Sequence, residues 1–161
     1  NVVLMRGNAK AEVLLCGEGP GQSEDVHAVP FIGPAGKLLD TLINQAVIEA
    51  GYLPKLAWTN LVACIPKGED NRKKGEPNAN EIKACQPRLE EFIRLCRPKY
   101  LIAVGDLAEK WSKIQRWEQY GKCVHIRHPS ALLQMDIARR PLEEQRVTVR
   151  LRDVFMELAL E

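Results

Sequence analysis

The sequence predicts an α/β protein, a three-layer α/β/α sandwich around a central four-stranded parallel sheet. Short apolar runs, too brief for helices, alternate with longer stretches whose apolar residues recur at helical spacing. Strands alternating with helices favour a parallel sheet covered on both faces. Polar or glycine-rich segments also follow several of the apolar runs, and folds of this kind bind ligands beyond the carboxyl ends of their strands.

The first run, Glu12 to Cys16, reads as a buried strand because Gly17-Glu18-Gly19-Pro20-Gly21 stops it. Pro34 to Ala50 reads as a helix. Pro34 suits the first turn, Leu38, Leu39, Leu42, Ile43 and Ala46 form the apolar stripe, and Gly51 suits the end. Leu56 to Val62 is a second strand, followed by a polar loop from Lys67 to Asn80 that is long for a compact domain. Asn78 or Asn80 caps the next helix, whose inward face is Ile82, Leu89, Phe92, Ile93 and Cys96, and Arg97-Pro98 ends it. Tyr100 to Val104 is a third strand, closed by Gly105 and followed by a helix from Asp106. Val124 to Arg127 is a fourth strand, broken at His128-Pro129-Ser130, and Leu142 to Leu160 forms the final helix.

At 161 residues the expectation is one domain over the whole chain. A net charge of +2 is compatible with nucleic-acid binding without requiring it. No apolar run reaches the 18 or so residues that span a bilayer, and no signal peptide is visible, so the expected setting is cytoplasmic. Five cysteines, an odd number, in a sequence without a secretory signal argue against a disulfide framework, and no CxxC pair is present. Cys16 and Cys96 read as small core hydrophobes, whereas Cys64 and Cys85 sit by polar loops or a helix edge.

Three signals fall where the strands end: the Gly17 to Gly21 loop, Asn60 and His128. The loop lacks both the dinucleotide fingerprint and the Gly-Lys-Ser/Thr of a P-loop. Phe31, between Pro30 and Gly33, is either a core aromatic or a stacking platform for a base. Asn60 is either a turn residue or an amide that reads a pyrimidine edge in two hydrogen bonds. His128 is either a loop residue or a donor toward an anionic oxygen.

Together these segments resemble the family 4 (iron–sulfur) uracil-DNA glycosylases. Gly17 to Gly21 with Glu24-Asp25, then Pro30 to Leu39, is similar to that family's first motif, and Thr59 to Pro66 to its second. Glu81-Ile82, Cys85 to Glu90, Arg97-Pro98-Lys99 and Ala103 to Ala108 resemble its middle, and His128 to Leu133 its last motif. The resemblance implies a monomeric enzyme acting on uracil in single- or double-stranded DNA, with no membrane partner. It implies that Phe31 stacks on the flipped base, Asn60 tells uracil from cytosine, and neutral His128 donates toward O2. Backbone amides near Gly19 contact the base, and Glu18, Glu24 or Asp25 offsets the sugar cation or positions water. Gly19 stands where monomeric uracil glycosylases carry a catalytic Asp. Ser130 and Leu132 are expected to contact DNA, Leu132 or Leu133 either as a wedge into the duplex or as ordinary packing.

The family's [4Fe–4S] cluster has four cysteine ligands, and Cys64 and Cys85 fall where two of them belong. The other pair lies upstream of the first strand in that family, and this sequence starts at Asn1. A cluster is therefore expected only where such a pair precedes Asn1, and no cofactor otherwise. The loop from Lys67 to Gly75 resembles that of relatives that trap the abasic sugar on a histidine, but Lys74 holds that position. Lys73 and Lys74 are instead candidates for phosphate contact. A protein of the same fold that recognises a base without excising it is the alternative.

Overall fold

The computed structural model describes residues 1–65 and 76–161. Strands β1 (Arg6–Gly7), β2 (Val13–Gly17), β3 (Leu56–Asn60), β4 (Tyr100–Val104) and β5 (Lys122–Ile126) form one sheet in the order β1-β3-β2-β4-β5. Strands β3, β2, β4 and β5 are parallel, as the alternation of runs predicts. The expected four-stranded sheet is corrected to five by β1, which pairs antiparallel with β3 through Arg6–Trp58 and Gly7–Ala57. Two residues carry no periodicity, and only pairing with β3 makes them a strand.

Residues of β2 and β4 alternate between two apolar layers. Val13, Leu15, Tyr100, Ile102 and Val104 pack with Leu39, Leu42, Leu151 and Phe155 of helices α2 (Pro34–Ala50) and α6 (Arg140–Ala159). Leu14, Cys16, Leu101 and Ala103 face Ile82, Leu89 and Ile93 of α3 (Ala79–Cys96) and Ala108 and Trp111 of α4 (Asp106–Ile114). Because successive strand residues point to opposite faces, a strand buried on both sides is apolar throughout, and β2 and β4 are.

The helix boundaries follow local chemistry. Pro34 occupies the first turn of α2, and Gly51 ends it in the left-handed region at φ +67°. Asn78, rather than Asn80, caps α3: its side chain accepts from Glu81 N at 2.8 Å, while Asn78 N donates to Glu81 at 2.9 Å. Helices α1 (Gln22–His27) and α5 (Pro129–Leu133), and a 3₁₀ turn at Trp117–Gln119, complete the elements. Among the described residues no helix is long and apolar enough to cross a membrane.

Candidate active site

The segment between β2 and α2 is bracketed by two glycines, Gly17 at the end of β2 and Gly36 in α2, that bring neighbouring groups close. Gly17 pairs with Asn60 across β2 and β3. A Cβ at Gly17 would stand 2.5 Å from the Phe31 ring and 2.7 Å from Asn60 Oδ1. Only a bare Cα lets the ring and the amide meet there. Gly36 does the same for the backbone, since its Cβ would lie 1.9 Å from the Phe31 carbonyl oxygen. Phe31 itself is held in the left-handed region at φ +60°, a conformation a bulky residue keeps only when its surroundings impose it.

Glu24 of α1 supplies much of that constraint. Its carboxylate accepts from Gly21 N and Ile32 N at 3.0 Å each, and from Gly33 N at 2.5 Å. Arg6 closes the turn from the other side. It donates from Nη1 to the Phe31 carbonyl at 2.7 Å and from Nη2 to Asp40 at 2.6 Å, with its guanidinium 4.0 Å from the centre of the Trp58 ring. No sequence signal marks Arg6, because its partners lie between 25 and 52 residues further along the chain.

Thr59 and Asn60, at the end of β3, are both buried. Arg88 of α3 holds this strand end: Nη1 donates to the Thr59 hydroxyl at 3.0 Å, and Nη2 to the Asn60 carbonyl at 2.7 Å. The Thr59 hydroxyl in turn donates to the Leu4 carbonyl at 2.7 Å. With its main chain fixed, Asn60 presents its amide from a rigid strand. Arg88 falls within a segment that resembles the family, but spacing alone attaches no role to it.

His128 caps α5. Its Nδ1 accepts from Ser130 N at 3.1 Å and lies 2.7 Å from the Ser130 hydroxyl. A backbone N–H can only donate, so Nδ1 carries its lone pair and the ring proton of the neutral form sits on Nε2. Burial pushes the imidazole down to about 4, so the ring is uncharged at neutral pH. Gly105, at φ +101°, lets Glu18 approach: a Cβ there would lie 2.7 Å from Glu18 Oε2 and 3.1 Å from His128 Cβ.

A cavity of about 180 Å³ opens at the carboxyl ends of the strands, lined by Gly19, Glu24, Phe31, Asn60 and His128 among others. The residues singled out from sequence as base-binding thus share one cavity with Glu24 and His128, two of the four catalytic candidates. Glu18 stands beside it, against Gly105. Ser130 belongs to the His128 hydrogen bond. The expectation that Leu132 contacts DNA is corrected, because Leu132 is fully buried in the apolar layer beneath α5. Leu133, next in the chain, is 38% exposed. Lys73 and Lys74 lie outside the described residues.

Among the described residues the cysteines do not assemble a cluster site. Cys64 is exposed and Cys85 half-buried on α3, while Cys16 and Cys96 are buried in the core. Burial pushes the Cys16 thiol up to about 12, the opposite of what a metal-binding thiolate needs. Among the described residues no group of three or more His, Cys, Asp or Glu side chains is placed to hold a metal ion. Two thiols do not complete the four ligands of a [4Fe–4S] cluster.

Comparison with known proteins places this arrangement. The type-4 uracil-DNA glycosylase of Saccharolobus solfataricus is 35% identical, over 89% of this chain and 72% of that protein. That of Sulfurisphaera tokodaii is 31% identical, over 93% and 74%. The crystal structure of Pedobacter heparinus SMUG2 shares the fold, with a TM-score of 0.58 over 90% of this chain and 76% of that one, at 14% identity. The family model for the uracil DNA glycosylase superfamily matches residues 4–152. With nearly the whole chain matched in this way, the protein belongs to the uracil DNA glycosylase superfamily.

Proposed function

We propose that the protein hydrolyses the N-glycosidic bond of uracil, or of a related modified pyrimidine, flipped out of DNA, as in base-excision repair. The observation that carries this is the joining of Phe31, Asn60 and a neutral His128 around one cavity of about 180 Å³. A dry cavity of roughly 150 Å³ admits a single six-membered ring, so the volume suits a pyrimidine. Cleavage leaves positive charge on the sugar and negative charge on the departing base. The Nε2–H of His128 donates toward the base oxygen as it gains charge, with no proton to lose first. Asn60 offers one acceptor and two donors to the base edge, which suits the O4 and N3–H of uracil. Phe31 contributes a ring face for stacking. Glu18, held against Gly105 near His128, or Glu24, in the cavity lining, offsets the sugar cation or positions the attacking water. Water adds at C1′ as the bond to the base nitrogen breaks, and its proton balances the charge of the released base.

A second reading, a protein of this fold that recognises a base without excising it, draws on two observations. Glu24 already accepts three backbone N–H bonds, and Gly19 brings no carboxylate to the loop. Incubation with a single-uracil oligonucleotide, then alkali and a denaturing gel, separates the two. Alkali-dependent scission absent from a thymine control supports the glycosylase. No scission, with a uracil-preferring gel shift, supports the reader.

A further inference from the structure

One strongly charged cluster lies outside the base cavity. Glu143, in the first turn of α6, is 9% exposed, yet its carboxylate meets two arginines. Arg146 Nη1 donates to one oxygen at 2.8 Å, and Arg127 Nε lies 3.7 Å from the other. A buried carboxylate between two guanidiniums is a weak device for stability, because desolvation offsets much of the attraction. It is an effective device for orientation. Each guanidinium has five N–H donors in a rigid fork, and holding one edge on Glu143 leaves the others aimed outward. Both side chains are open to solvent, Arg127 at 47% and Arg146 at 66%.

Their position gives the orientation a use. Arg127 directly precedes His128, whose ring lines the base cavity. Arg127, Glu143 and Arg146 line an open groove of about 750 Å³ between β5 and α6. Arg150 lines the same groove and is anchored by its bond to the His125 carbonyl at 3.0 Å. A polynucleotide that delivers one base into the cavity must carry its neighbouring phosphates across this end of the sheet. Pre-oriented arginine forks match phosphate oxygens in paired hydrogen bonds, and such contacts set register without reading sequence.

We propose that Arg127 and Arg146, held apart and aimed by Glu143, grip a phosphodiester of the DNA strand whose base enters the cavity. The grip rests on the reading of the protein as a DNA-acting enzyme, and names residues that position its substrate.

The test is the salt dependence of binding to a labelled, uracil-free duplex, measured by fluorescence anisotropy, alongside kcat and KM on a single-uracil duplex. Each phosphate contact contributes about 0.9 to the slope of log affinity against log salt on duplex DNA. Arg127→Gln and Arg146→Gln, which share that one phosphate, should each lower the slope by part of that amount and the double variant by about all of it, and each should raise KM several-fold with kcat little changed. Arg127→Lys and Arg146→Lys keep the charge and should keep the slope, which separates a lost contact from a lost fold. Lys10→Gln, before β2 at the opposite end of the sheet, should change neither. Unchanged slopes in both glutamine variants would overturn the proposal, as would a poly-glutamate peptide that outcompetes DNA for the same arginines. Excision by the wild type with unchanged slopes sinks the grip alone. Slopes that fall in a protein that excises nothing sink the glycosylase reading and leave the grip standing.

Discussion

The two walls of the cavity at the carboxyl ends of the strands are made in different ways. One wall is a single stretch, residues 17–36, tied to itself by the three bonds to Glu24 and by the close approach of Gly36 to Phe31. The other joins Asn60 and His128, which lie 68 residues apart in the chain and meet because β3 and β5 end on the same side of the sheet. The local wall carries the strain, with Phe31 at φ +60°, and needs small residues and short hydrogen bonds to hold it. The remote wall carries the groups that would meet the base edge, and depends on strand register and on Arg88 and Ser130. The position of Phe31 is thus set locally, and that of Asn60 and His128 by the whole sheet.

Substitutions can break each wall separately. Gly36→Ala should have the largest effect, because its Cβ would overlap the Phe31 carbonyl; a loss of about 4 kcal/mol or more is expected in urea denaturation. Leu132→Ala removes a fully buried side chain below the remote wall and should cost about 3 kcal/mol. Glu24→Gln keeps the shape but replaces one acceptor oxygen with a donor facing backbone N–H groups. Weakened charged hydrogen bonds of this kind cost about 2 kcal/mol, and turnover should fall with stability as Phe31 loosens. Leu133→Ala is the smallest, about 0.5 kcal/mol or less, since the side chain is partly exposed. If Leu133 wedges into the duplex, that variant loses DNA affinity while remaining stable. Equal stability losses at Leu132 and Leu133 would contradict the division between a core and a surface leucine.

The four parallel strands and helices α2, α3, α4 and α6 were legible because each carries its own signal: an apolar run, a helical stripe, Pro34 or Asn78 at an end. Asn60 and His128 stood out through their places after strands, and Phe31 through its resemblance to a family; all three line one cavity. Elements without a local signal were not. Helix α1 buries none of its residues, so no apolar stripe marks it. Strand β1 exists through its pairing with Trp58 and Ala57. Leu132 and Leu133 are the same residue type side by side, and only the turn of α5 decides which faces inward. Arg6, Arg88 and the Arg127–Glu143 pair join separate elements, where spacing says nothing.

His128 links stability and activity to pH. Its folded value lies below the ordinary value near 6.5, so the folded protein binds fewer protons than the unfolded chain between about pH 6.5 and 4. Its contribution, about 3 kcal/mol, is fully present above pH 6.5 and is lost as pH falls toward 4. The neutral Nε2–H donor is the centre of the proposed chemistry, and it persists over the same range. The most direct measurement is the single-turnover rate of uracil release from a single-uracil oligonucleotide between pH 4.5 and 8, with His128→Gln alongside. The account predicts uracil-specific release by the wild type, no loss of rate centred near pH 6.5, and a large drop in the variant. No release at any pH, or a wild-type rate that collapses as an ordinary histidine gains its proton, would contradict it.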